Sequence, residues 1–218
     1  MKPTLSFYTK NKESLMSKPV SKKGRPPLTK EQIQIMRARI AATAHTLFQT
    51  EGYRAISMRK LARHVGCTPM TLYKYYDNKT SILRVLWTQI FDTLFDELEH
   101  LTANESDPKQ RLHIMARAYV KYWLDHADHY RMVFMVDGIT QPDVSIFIGD
   151  TQILQRYAVL FTTLSQVIGE DNDLKLKTDV LMCSLHGIAH NLITISGYDW
   201  TCYEKLVDIA LAGILHTD

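Results

Sequence analysis

The sequence predicts an all-α fold of about nine helices. After residue 28, apolar residues recur at three- and four-residue steps, the period of an amphipathic helix. Clusters of glycine, proline, asparagine and aspartate separate these periodic segments, and neither a strand pattern nor an internal repeat occurs. We therefore expect three N-terminal helices followed by six C-terminal ones.

The first helix is predicted to begin at Thr29, because Thr29 and Gln32 have the spacing of a capping box. One apolar stripe then continues to Gly52, which predicts five or six turns. The stripe consists of Ile33, Met36, Ile40, Ala44, Leu47 and Phe48.

The next stretch, SMRKLARHVGCTPMTLYKYYDNK from Ser57 to Lys79, predicts two short helices. Ser57 is an N-cap type, Gly66 suits a left-handed helix stop, and Thr68 with Pro69 suits a second start. This is the pattern of a helix-turn-helix, whose second helix enters the DNA major groove. A helix pair that serves only core packing is the alternative. The side chains expected to stay exposed are Arg59, Lys60, Arg63, Thr68, Met70, Thr71, Tyr73, Lys74 and Tyr75.

Residues 30–83 resemble the N-terminal domain of the tetracycline-repressor (TetR) family of bacterial regulators. The resemblance rests on Gly52-Tyr53, Ser57-Met58-Arg59, Leu61-Ala62, Val65-Gly66, Thr71-Leu72-Tyr73-Lys74-Tyr75-Tyr76 and Asn78-Lys79. It implies a C-terminal helical domain that binds an effector and forms a dimer. It also implies a regulator that is most often a repressor.

Charge divides unevenly along the chain. Residues 1–79 contain 16 Lys/Arg and 4 Asp/Glu, whereas residues 80–218 contain 10 and 19. A basic segment beside an acidic one indicates a polyanion as partner of the first segment only. A basic face that is merely solvated is the alternative.

Residues 1–28 are polar and basic, which predicts a disordered N-terminal arm. Arg25 is a candidate for insertion into a DNA minor groove, and a solvated tail is the alternative. Met16 is an alternative start of translation, so residues 1–15 need not belong to the native protein.

We expect residues 29–79 to bind DNA and residues 80–218 to bind the effector and form the dimer. Base-edge or sugar-phosphate contacts are assigned to the start of the recognition helix, at Thr68, Pro69, Met70, Thr71 and Lys74. Phosphate contacts are assigned to Ser57, Arg59, Tyr73, Tyr75 and Lys79. Tyr75 stands where the resembled family commonly has histidine.

A long helix from Asn78 to about Leu101 carries two neighbouring apolar rows. Together they form a face that is wider than contact with one neighbouring domain can bury. The resemblance implies that this helix transmits the ligand state to the DNA-binding domain. Further helices are predicted over about 109–125, 127–136, 151–168, 174–196 and 201–215.

Aromatic, methionine and histidine side chains of these helices are the candidates for an effector pocket. Ordinary core packing is the alternative for each of them. The predicted lining is Trp87, Phe91, Met115, Tyr119, Trp123, Phe134, Tyr157, Phe161, His186 and His190.

The last two helices contain small residues that permit close helix approach. By the resemblance, they pair with a second subunit in a four-helix bundle. Completion of the subunit's own core is the alternative. The predicted interface is Ser184, Ile188, Leu192, Ile209 and Ile214.

Several classes of protein are not supported. The chain has no apolar run near the ~18 residues of a membrane span, and nothing near residue 1 resembles a signal peptide. Cys67, Cys183 and Cys202 have no metal or disulfide spacing and are expected to act as small apolar residues in a cytoplasmic protein. The pairs His126/His129 and His186/His190 lack supporting ligands, so no metal, cofactor or enzymatic activity is predicted.

The sequence thus predicts a homodimeric regulator that binds a palindromic operator and is released by a small apolar effector. An activator or an effector-independent regulator is the alternative within this class. A protein-interaction module without DNA specificity is the alternative outside it, and the basic N-terminal segment disfavours it.

Overall fold

A computed structural model describes residues 28–139, 151–169 and 173–216, and within these ranges the chain forms nine helices and no strand. This confirms the all-α prediction. Arg25 and the basic arm lie outside the described residues. The helices are α1 (Lys30–Glu51), α2 (Met58–Val65), α3 (Pro69–Tyr73), α4 (Lys79–Thr102), α5 (Pro108–Asp125), α6 (Ala127–Phe134), α7 (Thr151–Ile168), α8 (Leu174–Thr194) and α9 (Tyr203–Leu215).

Side-chain caps determine where the first five helices begin. Thr29 and Gln32 form the predicted capping box, and Asn78 forms another with Ser81 at the start of α4. In the described part of the chain, α6, α8 and α9 have no side-chain cap bond. The bounds of these three helices were also predicted less accurately. Helices α6 and α8 each end two residues before the predicted position, and α9 begins two residues after it.

The N-terminal three-helix unit, α1–α3, has its own buried centre. Ile40, Leu61 and Leu72 are each fully buried there. Each such side chain contributes roughly 1.5–3 kcal/mol by leaving water, so this small unit is held mainly by apolar packing. Helix α1 packs against α2 and, on another side, against α4 and α6.

The helical body is arranged around α5, which packs against α4, α7, α8 and α9. Its core continues that of the three-helix unit, and Trp87, Tyr119 and Trp123 are among its largest buried side chains. Across the described ranges, every helix is too short or too polar to cross a membrane. Cys183 and Cys202 are exposed, so the expectation that they behave as apolar core residues is wrong.

Candidate DNA interface and effector pocket

The turn between α2 and α3 has the predicted geometry. Gly66 adopts a left-handed conformation with φ of 79°, and its N–H donates to the carbonyls of Ala62 and Arg63. The Thr68 hydroxyl accepts the Thr71 N–H at 3.1 Å, and Pro69 occupies the first turn of α3. Because Leu72 is fully buried, it holds α3 against α2 and directs the opposite side of α3 outward.

The outward side combines polar, apolar and basic groups. Met70 is 76% exposed and Tyr73 is 52% exposed, although both are large apolar side chains. Thr71 is half-buried. We call the exposed set the α3 surface, and it consists of Ser57, Arg59, Thr68, Pro69, Met70, Tyr73 and Lys74.

Tyr75 does not belong to this surface. It is only 7% exposed, so the expectation that it stays available to the outside is wrong. Helix α1 is tethered to the same segment: the Arg37 guanidinium donates to the Tyr75 carbonyl at 2.9 Å and lies 5.3 Å from the centre of the Tyr76 ring. The Tyr76 hydroxyl donates back to the Arg37 carbonyl at 3.3 Å.

Lys79 is partly engaged inside the chain. Its ammonium donates to the Tyr53 carbonyl at 2.7 Å and lies 3.9 Å from the centre of the Tyr53 ring. Burial lowers the pKa of Lys79. Because an ammonium has three donors, the bond to Tyr53 leaves two for another acceptor.

A cavity of about 410 Å³ lies among α4, α6, α7 and α8. Its volume is within the range of small-molecule pockets. Among the described residues, no charged side chain lines it. The lining is Trp87, Phe91, Val133, Phe134, Ile153, Leu154, Tyr157, Phe161, Met182 and His186.

Six of the ten predicted pocket residues are in that lining, and four are not. Trp123, Met115 and Tyr119 are buried behind the wall, where Trp123 packs edge-on against Phe91. His190 is exposed. The sequence analysis missed Val133, Ile153, Leu154 and Met182, because ordinary aliphatic residues at helical spacing do not differ from core residues.

A polar cluster joins two residues of the wall, Tyr157 and His186, to Tyr119 behind it. The Tyr119 hydroxyl lies 2.9 Å from His186 Nε2 and 3.4 Å from the Tyr157 hydroxyl. Burial lowers the pKa of His186 to about 4 and raises that of Tyr157 to about 12. It also raises the pKa of Tyr119 well above its ordinary value. All three groups are therefore neutral at pH 7.

Helix α6 touches both the cavity and the three-helix unit. Phe134, at its end, lines the cavity, and the Met132 carbonyl accepts the Trp87 indole N–H at 2.8 Å. Near its start, the Asp128 carboxylate accepts a hydrogen bond from the Gln49 amide of α1. The long helix α4 was the predicted connection between the two regions, and α6 also contacts both of them.

The predicted dimer residues are distributed over α8 and α9. Ile209 is 74% exposed, and Ser184, Ile188 and Leu192 are half-buried. Ile214 is only 4% exposed and packs inside its own subunit, so its assignment to the interface is wrong. Val180, which is 43% exposed, lies on α8 as well.

Comparisons with known proteins agree with this geometry. Residues 40–86 match the family of bacterial regulatory proteins described as tetR family. The transcriptional activator FasR of Mycolicibacterium smegmatis is 24% identical over 109 residues, which are 50% of this chain and 50% of FasR. A transcriptional regulator of Staphylococcus aureus is 23% identical over 170 residues, covering 74% of this chain and 87% of that protein.

A solved structure, the fatty acid degradation regulator FadR from Bacillus halodurans, aligns with a TM-score of 0.65 at 17% identity. The alignment covers 83% of this chain and 95% of FadR. At this identity the likeness concerns the fold.

Fold and α3 surface together define a DNA-binding transcriptional regulator with a helix-turn-helix. Residues 40–86 thus match the N-terminal domain of the TetR family, as the motifs around Ser57 and Thr71 predicted, and the chain is similar to regulators beyond this segment.

Proposed function

We propose that the chain binds a two-fold symmetric operator as a homodimer and is released from it by a small, uncharged, apolar effector. The α3 surface is the observation that carries this proposal. Large apolar side chains such as Met70 are exposed there beside Arg59 and Lys74, on a helix whose opposite side is fully buried. Such a surface suits contact with base edges and phosphates together.

The start of α3 carries the base-edge or sugar-phosphate contacts, at Thr68, Pro69, Met70, Thr71 and Lys74. Ser57, Arg59 and Tyr73 contact phosphates. Lys79 joins them through the two donors that Tyr53 leaves available. Burial disfavours a phosphate contact by the Tyr75 side chain. Arg25 reaches the minor groove from the N-terminal arm.

Dimerisation follows from the need to place two recognition helices about one DNA turn apart, ~34–36 Å. The exposed Val180 lies on α8 and the exposed Ile209 on α9, and these two helices pack against each other. A second copy of this pair would cover these side chains in a four-helix bundle. Replacement of Ile209 by a charged residue is therefore expected to produce monomers.

The cavity receives the effector. Its lining is apolar, and its polar groups, His186 and Tyr157, are neutral at pH 7. They therefore favour a neutral ligand with one hydrogen-bonding group. An effector that displaces Phe134 moves α6 and its bond to α1, and so shifts the two α3 helices relative to each other.

DNA binding in a salt series tests the proposal. The full-length protein is titrated onto the DNA upstream of its own gene and onto unrelated DNA of equal length. Met70→Ala is expected to reduce the preference for the operator. Lys74→Ala is expected to weaken binding, and Lys109→Ala, which changes an exposed lysine on α5, serves as control. Equal binding of both DNAs by the wild type would contradict the proposal.

Activation is the second candidate, because FasR is named as an activator. Transcription from the bound promoter, measured with and without the protein, separates the two. A rise on addition of the protein would identify an activator.

A further inference from the structure

Three possible metal ligands meet where α1 contacts α6. His45 belongs to α1, and Asp128 and His129 belong to α6. One nitrogen or oxygen ligand atom from each lies within 4.8 Å of the other two. The His45 and His129 rings meet edge to face, with their centres 5.7 Å apart.

Hydrogen bonds leave His129 in a form that binds metal. The Tyr122 hydroxyl donates its single proton to the Ile90 carbonyl at 3.2 Å. Its oxygen can therefore only accept a hydrogen bond from His129 Nδ1, which lies 3.4 Å away. The proton of the neutral ring thus lies on Nδ1, and Nε2 keeps its lone pair. Metal-binding imidazoles typically have such a partner on their second nitrogen.

Asp128 is also held in place. Its carboxylate accepts a hydrogen bond from the Gln49 amide of α1. A carboxylate has about four lone-pair sites, so this bond leaves room for an ion. Gln49 thus orients an oxygen ligand beside the two imidazoles.

A route for the ion is present. A groove of about 400 Å³ between α1 and α4 is lined by both His45 and His129. Gln89 and Thr93 of α4 add polar groups to the same groove. A hydrated ion can reach the two rings through it.

We propose that His45, Asp128 and His129 bind one Zn²⁺ ion, which ties α1 to α6, with water as the fourth ligand. Two imidazoles and one carboxylate suit zinc, whereas magnesium and calcium prefer oxygen ligands alone. With bonds of ~2.0–2.1 Å, ligand atoms of a tetrahedral zinc site lie ~3.3 Å apart. The side chains reach that spacing by moving inward by about 1 Å.

The sequence predicted no metal site, because neither of the two histidine pairs has supporting ligands at a recognised spacing in the sequence. His45 is distant in sequence from Asp128 and His129, and only the packing of α1 on α6 brings it to them. A bound ion would hold the three-helix unit on the body, beside the Gln49 hydrogen bond.

Zinc binding to the full-length protein, freed of metal by a chelator, tests the site. Isothermal titration with Zn²⁺ is expected to show one ion per subunit and a rise in melting temperature. His45→Gln and Asp128→Asn are each expected to weaken binding at least tenfold and to abolish the rise. His190→Gln, an exposed histidine on α8, is the control and keeps both. Joint replacement of the exposed Cys183 and Cys202 by serine also keeps both.

Unchanged zinc affinity in His45→Gln would overturn the bridge, since the ion would then lie on α6 alone. Loss of binding in the cysteine variant would assign the ion to surface thiols and overturn the site. Absence of binding to the wild type at micromolar zinc would do so as well. If His45→Gln fails to fold, His126→Gln decides, because the His126 ring stacks on His129 and an ion held beside α6 alone would need it as a ligand. The bridge keeps its zinc affinity in His126→Gln, and loss of binding in that variant would overturn it.

Discussion

The helix-turn-helix and the cavity of the helical body are held together over very different distances along the chain. At the starts of α2 and α3, Ser57 accepts the N–H of Lys60 and Thr68 that of Thr71, each three residues away. In the body, Tyr119 meets His186, which is 67 residues away, and Trp87 meets Met132, which is 45 away. Local bonds set where α2 and α3 begin, whereas the cavity depends on how four helices pack.

The largest effect is expected from the buried side of α3. Leu72→Ala removes a fully buried side chain and should lower the free energy of unfolding by about 2–5 kcal/mol. Met70→Ala, two residues earlier on the exposed side, should change it by less than ~0.5 kcal/mol. Urea unfolding of both variants measures this. Equal losses would show that α3 has no distinct outward side.

The half-buried His186 of the cavity predicts a pH-dependent stability. The pKa of His186 is about 4 in the folded chain and near its ordinary value in the unfolded one, so the unfolded state binds more protons between them. The contribution of neutral His186 to the free energy of unfolding is therefore fully present above pH ~6.5. It decreases by about 3 kcal/mol as the pH falls towards 4. Urea unfolding at pH 7 and pH 4.5 should show a smaller difference in His186→Gln than in the wild type. His190→Gln should match the wild type, and equal differences in all three proteins would contradict this origin.

Helix caps provide a third comparison of the two regions. Ser57→Ala removes a cap bond and should lower the free energy of unfolding by about 1 kcal/mol. Cys202→Ala, at the start of α9, removes no cap bond and should stay within ~0.5 kcal/mol. Thermal unfolding compares them, and a larger loss at Cys202 would reverse the contrast.

The smallest effect concerns a single phosphate contact. Lys79→Ala should weaken binding to all DNA sequences alike and reduce the slope of log K against log salt by ~0.9. Lys109→Ala, a lysine on α5, should leave the slope unchanged. An unchanged slope in Lys79→Ala would mean that its ammonium serves only Tyr53.

The separation of interacting residues along the chain explains how much of the fold and of the site the sequence predicts. The capping box at Thr29, the left-handed Gly66 and the start of α3 follow from neighbouring residues, and each prediction is confirmed. Long-range packing accounts for the errors: Tyr75 is buried in the core and Arg37 of α1 bonds its carbonyl, while Ile214 packs inside its own subunit. Ile153 and Met182 became visible as cavity residues only once α7 and α8 were placed beside α4.

Reciprocal binding tests the coupling between cavity and α3 surface most directly. Fatty alcohols of graded length and uncharged aromatic compounds are first screened for a rise in melting temperature. The strongest stabiliser is then titrated into the protein with and without operator DNA. If the ligand weakens operator binding 100-fold, the coupling free energy is about 2.7 kcal/mol. Operator DNA should then weaken ligand binding by the same factor. Phe161→Ala, in the half-buried cavity wall, should reduce ligand affinity and leave ligand-free DNA binding unchanged. Equal ligand affinities with and without operator would contradict the account.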